Sequence, residues 1–531
     1  MLKWICLSWM VFAMVAGAQP TINTNGIVNA ASYAPVGLPN SSVAQGSIVA
    51  IFGTAMGPVG GVVVSAWPLQ KSLGGVTVQI QDASGAQLLA IPLSVAPTQI
   101  NAILPSATAV GTATATVTYA GQTSAPVSFT VVQSSFSSFA LSEAGSGPGA
   151  VQNYVANSSA WPTDTIISAA QPGQAVILYG TGLGPVTGDE TKPPVPADLR
   201  SGLAPMTLWV GGQQTPIAYA GRSTSAGEDQ INFNVPASIT GCYVPVMLQI
   251  GNVVSNTVTI SVAPSGGVCQ DSFLPNLNAA GMEANGLSEG TLFLQQLTVH
   301  TPPNSDGTKQ SITASFQRYA WPYPILLSGP YVDVHGACTV VATGAPIPST
   351  LLDAGSPVTM VDPGGDTTTL IQPKADPVGY YAGGSQNALT AGVYTVKNGS
   401  GGKDVGSFSA TLTLPAPIVL TNLNNLNNSL LANPLPITWT GGSGDVYIYG
   451  SSSTVVNRTA VAAEFICLAR AADEGFTVPT YVLAALPPTA YAGLGGIEID
   501  NYAVTTTFTA NGLDLGLFQA DYATQETLNL F

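Results

Sequence analysis

Charged side chains are scarce in this chain. Asp, Glu, Lys and Arg make up 7% of its 531 residues, and only 12 residues are Lys or Arg. An average soluble domain holds about 25% charged residues, so hydroxyls, amides and small side chains must cover most of this surface. Binding to a phosphate backbone needs many closely spaced cations. We therefore expect no nucleic acid among the partners.

Histidine is almost absent, which limits the available chemistry. A Ser-His-Asp triad would have to use His300 or His335, and no Gly-x-Ser-x-Gly nucleophile elbow occurs. If residues 333–338 form a strand, Asp333 and His335 share one face, as a metal pair or an acid–base pair requires. A polar strand face beside a cysteine is the favoured interpretation. We expect a protein that is not an enzyme, with no cofactor and no metal.

Long apolar runs are missing after the N-terminus. Lys3, the apolar stretch Trp4–Val15 and the small residues Ala16-Gly17-Ala18 form the pattern of a secretory signal peptide, predicted to be residues 1–18. A retained membrane anchor is the alternative. The rest of the sequence contains no run of about 20 apolar residues, so we predict no transmembrane segment after the signal peptide. We expect a secreted protein, either extracellular or held at the cell surface by non-covalent contacts.

Cysteine is also rare. Cys6 lies in the predicted signal peptide, which leaves Cys242, Cys269, Cys338 and Cys467. An even number of cysteines in an exported protein predicts two disulfides, with three possible connectivities. Cys242–Cys269 with Cys338–Cys467 is the favoured pairing, because each bond would staple one region of the chain. The spacing matches no Cys-x-x-Cys zinc site.

Glycine and proline are abundant, and the strongest positive pattern is an internal repeat. Residues 44–132 and 170–263 share a Gly-Thr turn after a short apolar run, and Gln99-Ile100-Asn101 recurs as Gln230-Ile231-Asn232. Each copy contains about seven short runs of β-branched residues separated by turns, the number of strands in an immunoglobulin-like sandwich. The repeat predicts two modules of one fold in tandem.

Specific phrases in this repeat resemble known families. Pro172-Gly173 followed by Val176-x-Leu178-Tyr179-Gly180-x-Gly182-Leu183-Gly184 is similar to the opening strand and turn of IPT/TIG domains, an immunoglobulin-like family. Over about residues 25–270, further phrases resemble the Solibacter uncharacterised C-terminal domain family of exported bacterial proteins: Asn29–Tyr33, Gly147–Asn153, Tyr219–Gly221, Asp229–Asn232 and Ser255–Asn256. The resemblance implies an exported β-sandwich and brings no catalytic residues. The pattern departs from the family because residues 271–531 follow it.

The predicted fold class is all-β: tandem immunoglobulin-like β-sandwiches followed by a further β-sandwich region. The expected boundaries are residues 19–135 for the first IPT/TIG-like module, 136–270 for the second and 271–531 for a C-terminal β-rich region. The Asn-rich segment Thr421–Ser429 could divide this last region near residue 420. Strands on both sides of it could equally share one sheet.

Aromatic residues beside Pro or Gly are the candidate ligand-binding groups. Trp321, Tyr323, Tyr380 and Tyr381, together with Trp161, fall in predicted loops. Planar rings on a rigid β scaffold can stack on sugar faces. Core packing is the alternative for each of them.

These patterns favour an exported, non-catalytic adhesion or scaffold protein that presents loops from rigid β-sandwiches. The expected partner is an extracellular polymer or protein, with a glycan as one possibility. Two alternatives stay open, a carbohydrate-binding protein that uses the loop aromatics and a polysaccharide hydrolase in the C-terminal region. A hydrolase would need paired carboxylates, with carboxyl groups about 5 Å or about 6.5–9.5 Å apart.

Overall fold

Almost all of the regular structure is β-strand, which confirms the all-β prediction. The computed structural model describes residues 18–270, 281, 284–301, 305–320, 332–342, 349–372, 379–383, 389–423, 426, 428–491 and 494–531. Short helical segments include α1 (Thr480–Leu483) and the 3-10 turns Arg200–Gly202 and Ala471–Asp473. Within the described residues, no helix combines the length and hydropathy that a membrane crossing requires.

The first module consists of two facing sheets. Its strands are β1 (Thr21–Asn29), β2 (Val43–Ala44), β3 (Ile48–Thr54), β4 (Val62–Val63), β5 (Thr77–Gln81), β6 (Gln87–Leu89), β7 (Ile91–Val95), β8 (Gln99–Ile103), β9 (Gly111–Tyr119), β10 (Gln122–Thr123) and β11 (Val127–Val132). One sheet has the order β1-β3-β8-β7-β4, and the other has β2-β11-β9-β5-β6 with β10 on β9. Alternate residues of both sheets, such as Ile51, Ile100, Val78 and Val117, are fully buried between them.

The second module repeats this arrangement. Its strands are β12 (Ser137–Ser138), β13 (Val151–Asn153), β14 (Ala175–Thr181), β15 (Ala197–Asp198), β16 (Met206–Val210), β17 (Gln213–Thr215), β18 (Ile217–Arg222), β19 (Asp229–Asn234), β20 (Gly241–Ile250), β21 (Val253–Val254) and β22 (Val258–Val262). The series β14-β19-β18-β15 corresponds to β3-β8-β7-β4, and β17-β16-β20 with β21 and β22 corresponds to β6-β5-β9 with β10 and β11. The predicted tandem sandwiches are confirmed.

The C-terminal region is built on one large sheet. Its strands are β23 (Leu287–Thr301), β24 (Ser305–Tyr319), β25 (Cys338–Ala342), β26 (Ser349–Leu351), β27 (Val358–Val361), β28 (Thr367–Leu370), β29 (Tyr380–Gly383), β30 (Gly392–Lys397), β31 (Ser409–Leu414), β32 (Ile418–Leu420), β33 (Asn428–Ser429), β34 (Leu435–Gly441), β35 (Asp445–Val456), β36 (Thr459–Arg470), β37 (Gly475–Val478), β38 (Gly495–Phe508), β39 (Leu515–Thr527) and β40 (Asn529–Leu530). The large sheet has the order β25-β36-β35-β38-β39-β23-β24-β26, and β29 also pairs with β24.

Strands from both sides of residue 420 share this large sheet, because β23 pairs in parallel with β39. Its apolar face packs on two smaller sheets, β28-β27-β30-β31 and β32-β34-β37. Among the largest buried side chains there, Trp439 donates its indole N–H to the Ala471 carbonyl at 2.8 Å. Of the two alternatives for the segment near residue 420, the shared sheet is the one observed.

Both predicted disulfides are present. Cys242 is bonded to Cys269 and Cys338 to Cys467, with sequence separations of 27 and 129. Cys338 and Cys467 lie directly opposite each other on β25 and β36. Each bond closes a loop of the chain and thereby restricts the unfolded state.

We predict that the two disulfides differ in how much they stabilise the protein. Loop-closure entropy favours the longer loop, so Cys338→Ala/Cys467→Ala should lower the free energy of unfolding by about 1.4 kcal/mol more than Cys242→Ala/Cys269→Ala. A guanidinium titration of both double variants measures the difference. An equal or larger loss in the Cys242/Cys269 variant would contradict the prediction.

Candidate functional site

Of the four aromatic residues predicted to bind a ligand, the structure describes Tyr380 and Tyr381. Trp321 and Tyr323 lie outside the described residues. Tyr380 and Tyr381 belong to β29 rather than to a loop. Tyr381 faces the core opposite Ala314, is 1% exposed and donates its hydroxyl to the Gly355 carbonyl at 2.6 Å. The prediction that Tyr381 contacts a ligand is therefore wrong, whereas Tyr380 is half-buried and stays a prediction.

Asp333 and His335 also take separate roles. The segment before β25 is not a strand, so the two side chains do not share a strand face. The Asp333 carboxylate accepts the backbone N–H groups of Cys242 and Tyr243 in the second module. His335 Nε2 lies 2.8 Å from Asp445 Oδ1. Both residues tie parts of the chain together instead of forming one reactive pair.

Four acidic residues on the large sheet, Glu464, Glu498, Asp500 and Asp521, are called the carboxylate cluster here. They lie on the face opposite the apolar core, because Ile497 and Ile499 alternate with Glu498 and Asp500 along β38. Asp500 is 5% exposed and Asp521 is fully buried. Glu464, Glu498 and Asp500 line a cavity of about 250 Å³.

Burial dominates the electrostatics of the carboxylate cluster. It raises the pKa of Asp500 well above its ordinary value, and the charges of Asp521 and Glu498 raise it further. Burial raises the pKa of Asp521 to about 8, although the Gln295 amide opposes the rise by donating to Oδ2 at 2.9 Å. The pKa of Tyr449 is raised by burial and by the Asp500 charge. At neutral pH this face therefore holds protons that exposed carboxylates would have lost.

Glu498 and Asp500 are joined by a side-chain hydrogen bond. Two carboxyl groups in such contact share a proton, because both cannot ionise cheaply. Among the described residues, no group of three or more His, Cys, Asp or Glu side chains is placed to hold a metal ion.

We predict that the free energy of unfolding falls as the pH rises from 5 to 8. The folded-state pKa of Asp521 lies above its ordinary value of about 3.9, so its favourable contribution is complete at acidic pH and is lost as pH approaches about 8. Asp521→Asn should reduce the fall in free energy of unfolding between pH 5 and pH 8 by more than about 1 kcal/mol. Denaturant titrations at both pH values measure it. The exposed Asp189→Asn is the control, and an equal fall in wild type and Asp521→Asn would contradict the prediction.

A second cavity lies between the two modules and is called the inter-module cleft here. It has a volume of about 600 Å³, and its walls include Trp67 and Ile103 of the first module and Glu190, Val195 and Asp198 of the second. The Trp67 side chain is 40% exposed and that of Val195 is 79% exposed. A cavity of this size with an open aromatic ring is typical of a small-ligand site.

The cleft is formed where each module departs from the repeat. The first module has a long loop at residues 64–76 between β4 and β5, and the second has one at residues 182–196 between β14 and β15. Each is about twice as long as its counterpart in the other module, residues 199–205 and 55–61. The two long loops meet, since the Leu69 N–H donates to the Thr191 carbonyl at 2.7 Å.

The sequence contained a signal for Trp67 that the prediction did not use. Trp67-Pro68 is a Trp-Pro pair like Trp161-Pro162, but it falls between two strands of the first repeat. The carboxylate cluster had a weaker signal, the alternation Ile497-Glu498-Ile499-Asp500, which places both acids on one strand face.

Comparison with known proteins does not place the chain in a family. No protein-family profile matches it, and no curated protein does. The similar solved structures include a tetra-tandem repeat from the extending region of a large adhesion protein, with 12% identity, coverage of 91% of this chain and 98% of that one, and a TM-score of 0.14. Domains 5–6 of the S-layer protein SbsC show 16% identity, coverage of 46% and 98%, and a TM-score of 0.16.

A third similar structure is the SGBP-B protein of a Bacteroides ovatus mixed-linkage glucan utilization locus, in complex with a mixed-linkage heptasaccharide. It shows 12% identity, coverage of 82% of this chain and 83% of that one, and a TM-score of 0.12. TM-scores this low establish no shared function. What the chain itself shows is an all-β protein of two tandem immunoglobulin-like sandwiches and a third β-rich region.

Proposed function

We propose that the protein is an exported, non-catalytic scaffold or adhesion protein of the IPT/TIG type, which holds its loops in fixed relative positions. The observation that carries the proposal is the buried hydrogen bonding at the junction of the two modules. A tether of independent domains needs no such junction, since domains in one chain usually move relative to each other. A scaffold that fixes the positions of its loops does.

Thr181 is the centre of this junction. Its hydroxyl donates to the Gly227 carbonyl at 2.7 Å and accepts the Ile48 N–H of the first module at 2.9 Å. Thr181 is fully buried, so its hydroxyl is shielded from water. The side-chain amide of Asn29, in the first module, also donates to the Thr181 carbonyl at 3.4 Å. An unpaired buried backbone group costs about 1–3 kcal/mol, which disfavours sliding or hinging at this contact.

A second polar contact closes the other edge of the junction. The backbone N–H and the hydroxyl of Ser106 donate to the two carboxylate oxygens of Glu190 at 2.9 and 2.8 Å. Within the second module, Arg222 and Asp229 form an ion pair at 3.1 Å, with side chains 3% and 0% exposed. Asp229 also accepts the N–H groups of Gly182 and Leu183 and so positions the start of the long loop.

The second module is fixed to the C-terminal region in the same manner. The Val340 N–H donates to the Thr257 hydroxyl oxygen at 3.0 Å. The rings of Trp209 and Tyr481 stack with centroids 4.1 Å apart. Together with the Asp333 contacts, these interactions support one continuous body rather than flexibly linked domains.

The two disulfides support the extracellular location, because such bonds persist in oxidising compartments. The predicted signal peptide agrees with this location. Carbohydrate binding is the second candidate function, and the exposed Trp67 ring in the inter-module cleft favours it.

We predict that Thr181→Val loosens the junction without unfolding either module. Valine has a similar shape but leaves the Ile48 N–H and the Gly227 carbonyl unpaired. Hydrogen–deuterium exchange at the Ile48 amide should become at least about tenfold faster, as expected for a loss of about 1.4 kcal/mol or more.

The matched control is Thr54→Val, because Thr54 occupies the same repeat position in the first module. Its hydroxyl is exposed and is hydrogen-bonded to the Thr21 hydroxyl at 2.6 Å, within the first module. Exchange at Ile48 should stay unchanged in this variant. Equal protection of Ile48 in Thr181→Val and wild type would argue against a junction held by these bonds.

A further inference from the structure

The inter-module cleft has the composition of a binding site for an uncharged ligand. Three acidic side chains line it, Asp189, Glu190 and Asp198, against the basic Lys192 and Arg222. Both basic groups are already paired, since Lys192 Nζ lies 3.7 Å from Asp189 and Arg222 is bonded to Asp229. The cleft therefore offers no excess of positive charge to an anion.

The acidic groups of the cleft are held in fixed positions. Asp198 receives the guanidinium of Arg200 in a bidentate pair, with Nε at 3.0 Å and an Nη atom at 2.6 Å. Asp189 Oδ1 accepts the hydroxyl and the N–H of Thr191 at 2.6 and 3.1 Å. The Asp198 and Asp189 side chains are still 38% and 50% exposed. Their remaining lone pairs can accept hydrogen bonds from the hydroxyl groups of a ligand.

The apolar wall of the cleft is equally suited to a flat ligand. Trp67 presents an exposed ring from one module, and Pro194 and Val195 present rigid apolar surface from the other. Aromatic rings stack on the apolar faces of sugar rings. Neighbouring carboxylates accept hydrogen bonds from the equatorial hydroxyl groups. A neutral saccharide can stack on the apolar wall and donate hydrogen bonds to the carboxylates at the same time.

An extended peptide fits this place less well. The neighbouring sheet edge is β15, which is only two residues long and follows Pro193, Pro194 and Pro196. Proline has no N–H to donate, so this edge is a poor template for an added strand. Peptide binding by strand addition would need a longer row of free backbone groups.

We infer that the inter-module cleft binds a neutral oligosaccharide, with Trp67 as the stacking platform and Asp189 and Asp198 as hydroxyl acceptors. The inference deepens the proposed scaffold function, since the two modules must stay fixed for the cleft to exist. It also assigns the site to residues outside the set predicted from sequence. The ligand class follows from the open ring, the paired charges and the fixed carboxylates.

Isothermal titration calorimetry of the purified chain lacking residues 1–18 tests this inference. The probes are cellohexaose, laminarihexaose, xylohexaose and mannohexaose, with hexagalacturonate as the acidic comparison. At least one neutral hexasaccharide should bind saturably, and Trp67→Ala should weaken that binding by about tenfold or more. Trp67→Phe should restore part of it, because a smaller ring still stacks. Asp198→Asn should also weaken binding.

Tyr491→Ala is the matched control, because this aromatic side chain is 67% exposed and is not among the residues that line the cleft. It should bind as wild type does. Since Trp67 is exposed, Trp67→Ala should keep the wild-type circular dichroism spectrum and unfolding midpoint, so a loss of binding reports on the cleft. A loss of exchange protection in residues 186–199 on Trp67→Ala would instead contradict a stacking role.

The inference is overturned if no neutral hexasaccharide binds, if Trp67→Ala binds as tightly as wild type, or if hexagalacturonate binds more tightly than every neutral probe. Binding of a proline-rich peptide that is lost in Trp67→Ala, without saccharide binding, would also overturn it. The scaffold proposal is tested separately by exchange at Ile48. If the Ile48 amide is protected from exchange but no saccharide binds, the saccharide inference is wrong and the scaffold proposal still stands.

Discussion

The buried hydroxyl of Thr181 is the interaction on which the relative placement of the two modules depends. Apolar contact alone is non-directional and permits one sandwich to slide over another. A buried hydroxyl that both donates and accepts permits one arrangement, because any shift leaves two backbone groups without partners. Thr54, at the same repeat position, is exposed and crosses no junction. One residue type thus ends a strand in one copy and joins two modules in the other.

The large sheet of the C-terminal region has one apolar face and one face with buried carboxylates. One face is apolar and is covered by two smaller sheets, whereas the other carries the carboxylate cluster beside Tyr449 and Tyr502. Burying carboxylates costs free energy unless they are protonated or hydrogen-bonded. This face is therefore tolerated through retained protons and through bonds such as that from Gln295 to Asp521. The stability of the C-terminal region is therefore tied to pH through these raised pKa values.

Much of the fold could be predicted because local patterns determine it. The Gly-Thr turns and β-branched alternation predict β3 and β14, and the even number of cysteines narrows the disulfides to a few pairings. The order of the large sheet could not be predicted, since β23 pairs with β39 across more than two hundred residues. Strand pairing over such distances depends on packing, which leaves no local trace in the sequence.

The candidate sites were harder to predict for the same reason. Tyr381 lies two residues after Gly379 and looks like a loop residue, but pairing with β24 turns its ring into the core. Trp67 becomes part of a site only because residues 182–196, more than a hundred positions away, close over it. Glu498 and Asp500 share a visible alternation, whereas Asp521 joins them through strand pairing alone.

The most direct test of the central claim is a distance distribution across the whole chain. Spin labels at Val59→Cys in the first module and Val393→Cys in the C-terminal region occupy exposed positions, at 97% and 52% exposure. Double electron–electron resonance should give one narrow peak, because every junction between the labels is held by buried polar or stacked contacts. A broad distribution, or two populations, would contradict the rigid scaffold on which the proposed function and the cleft both depend.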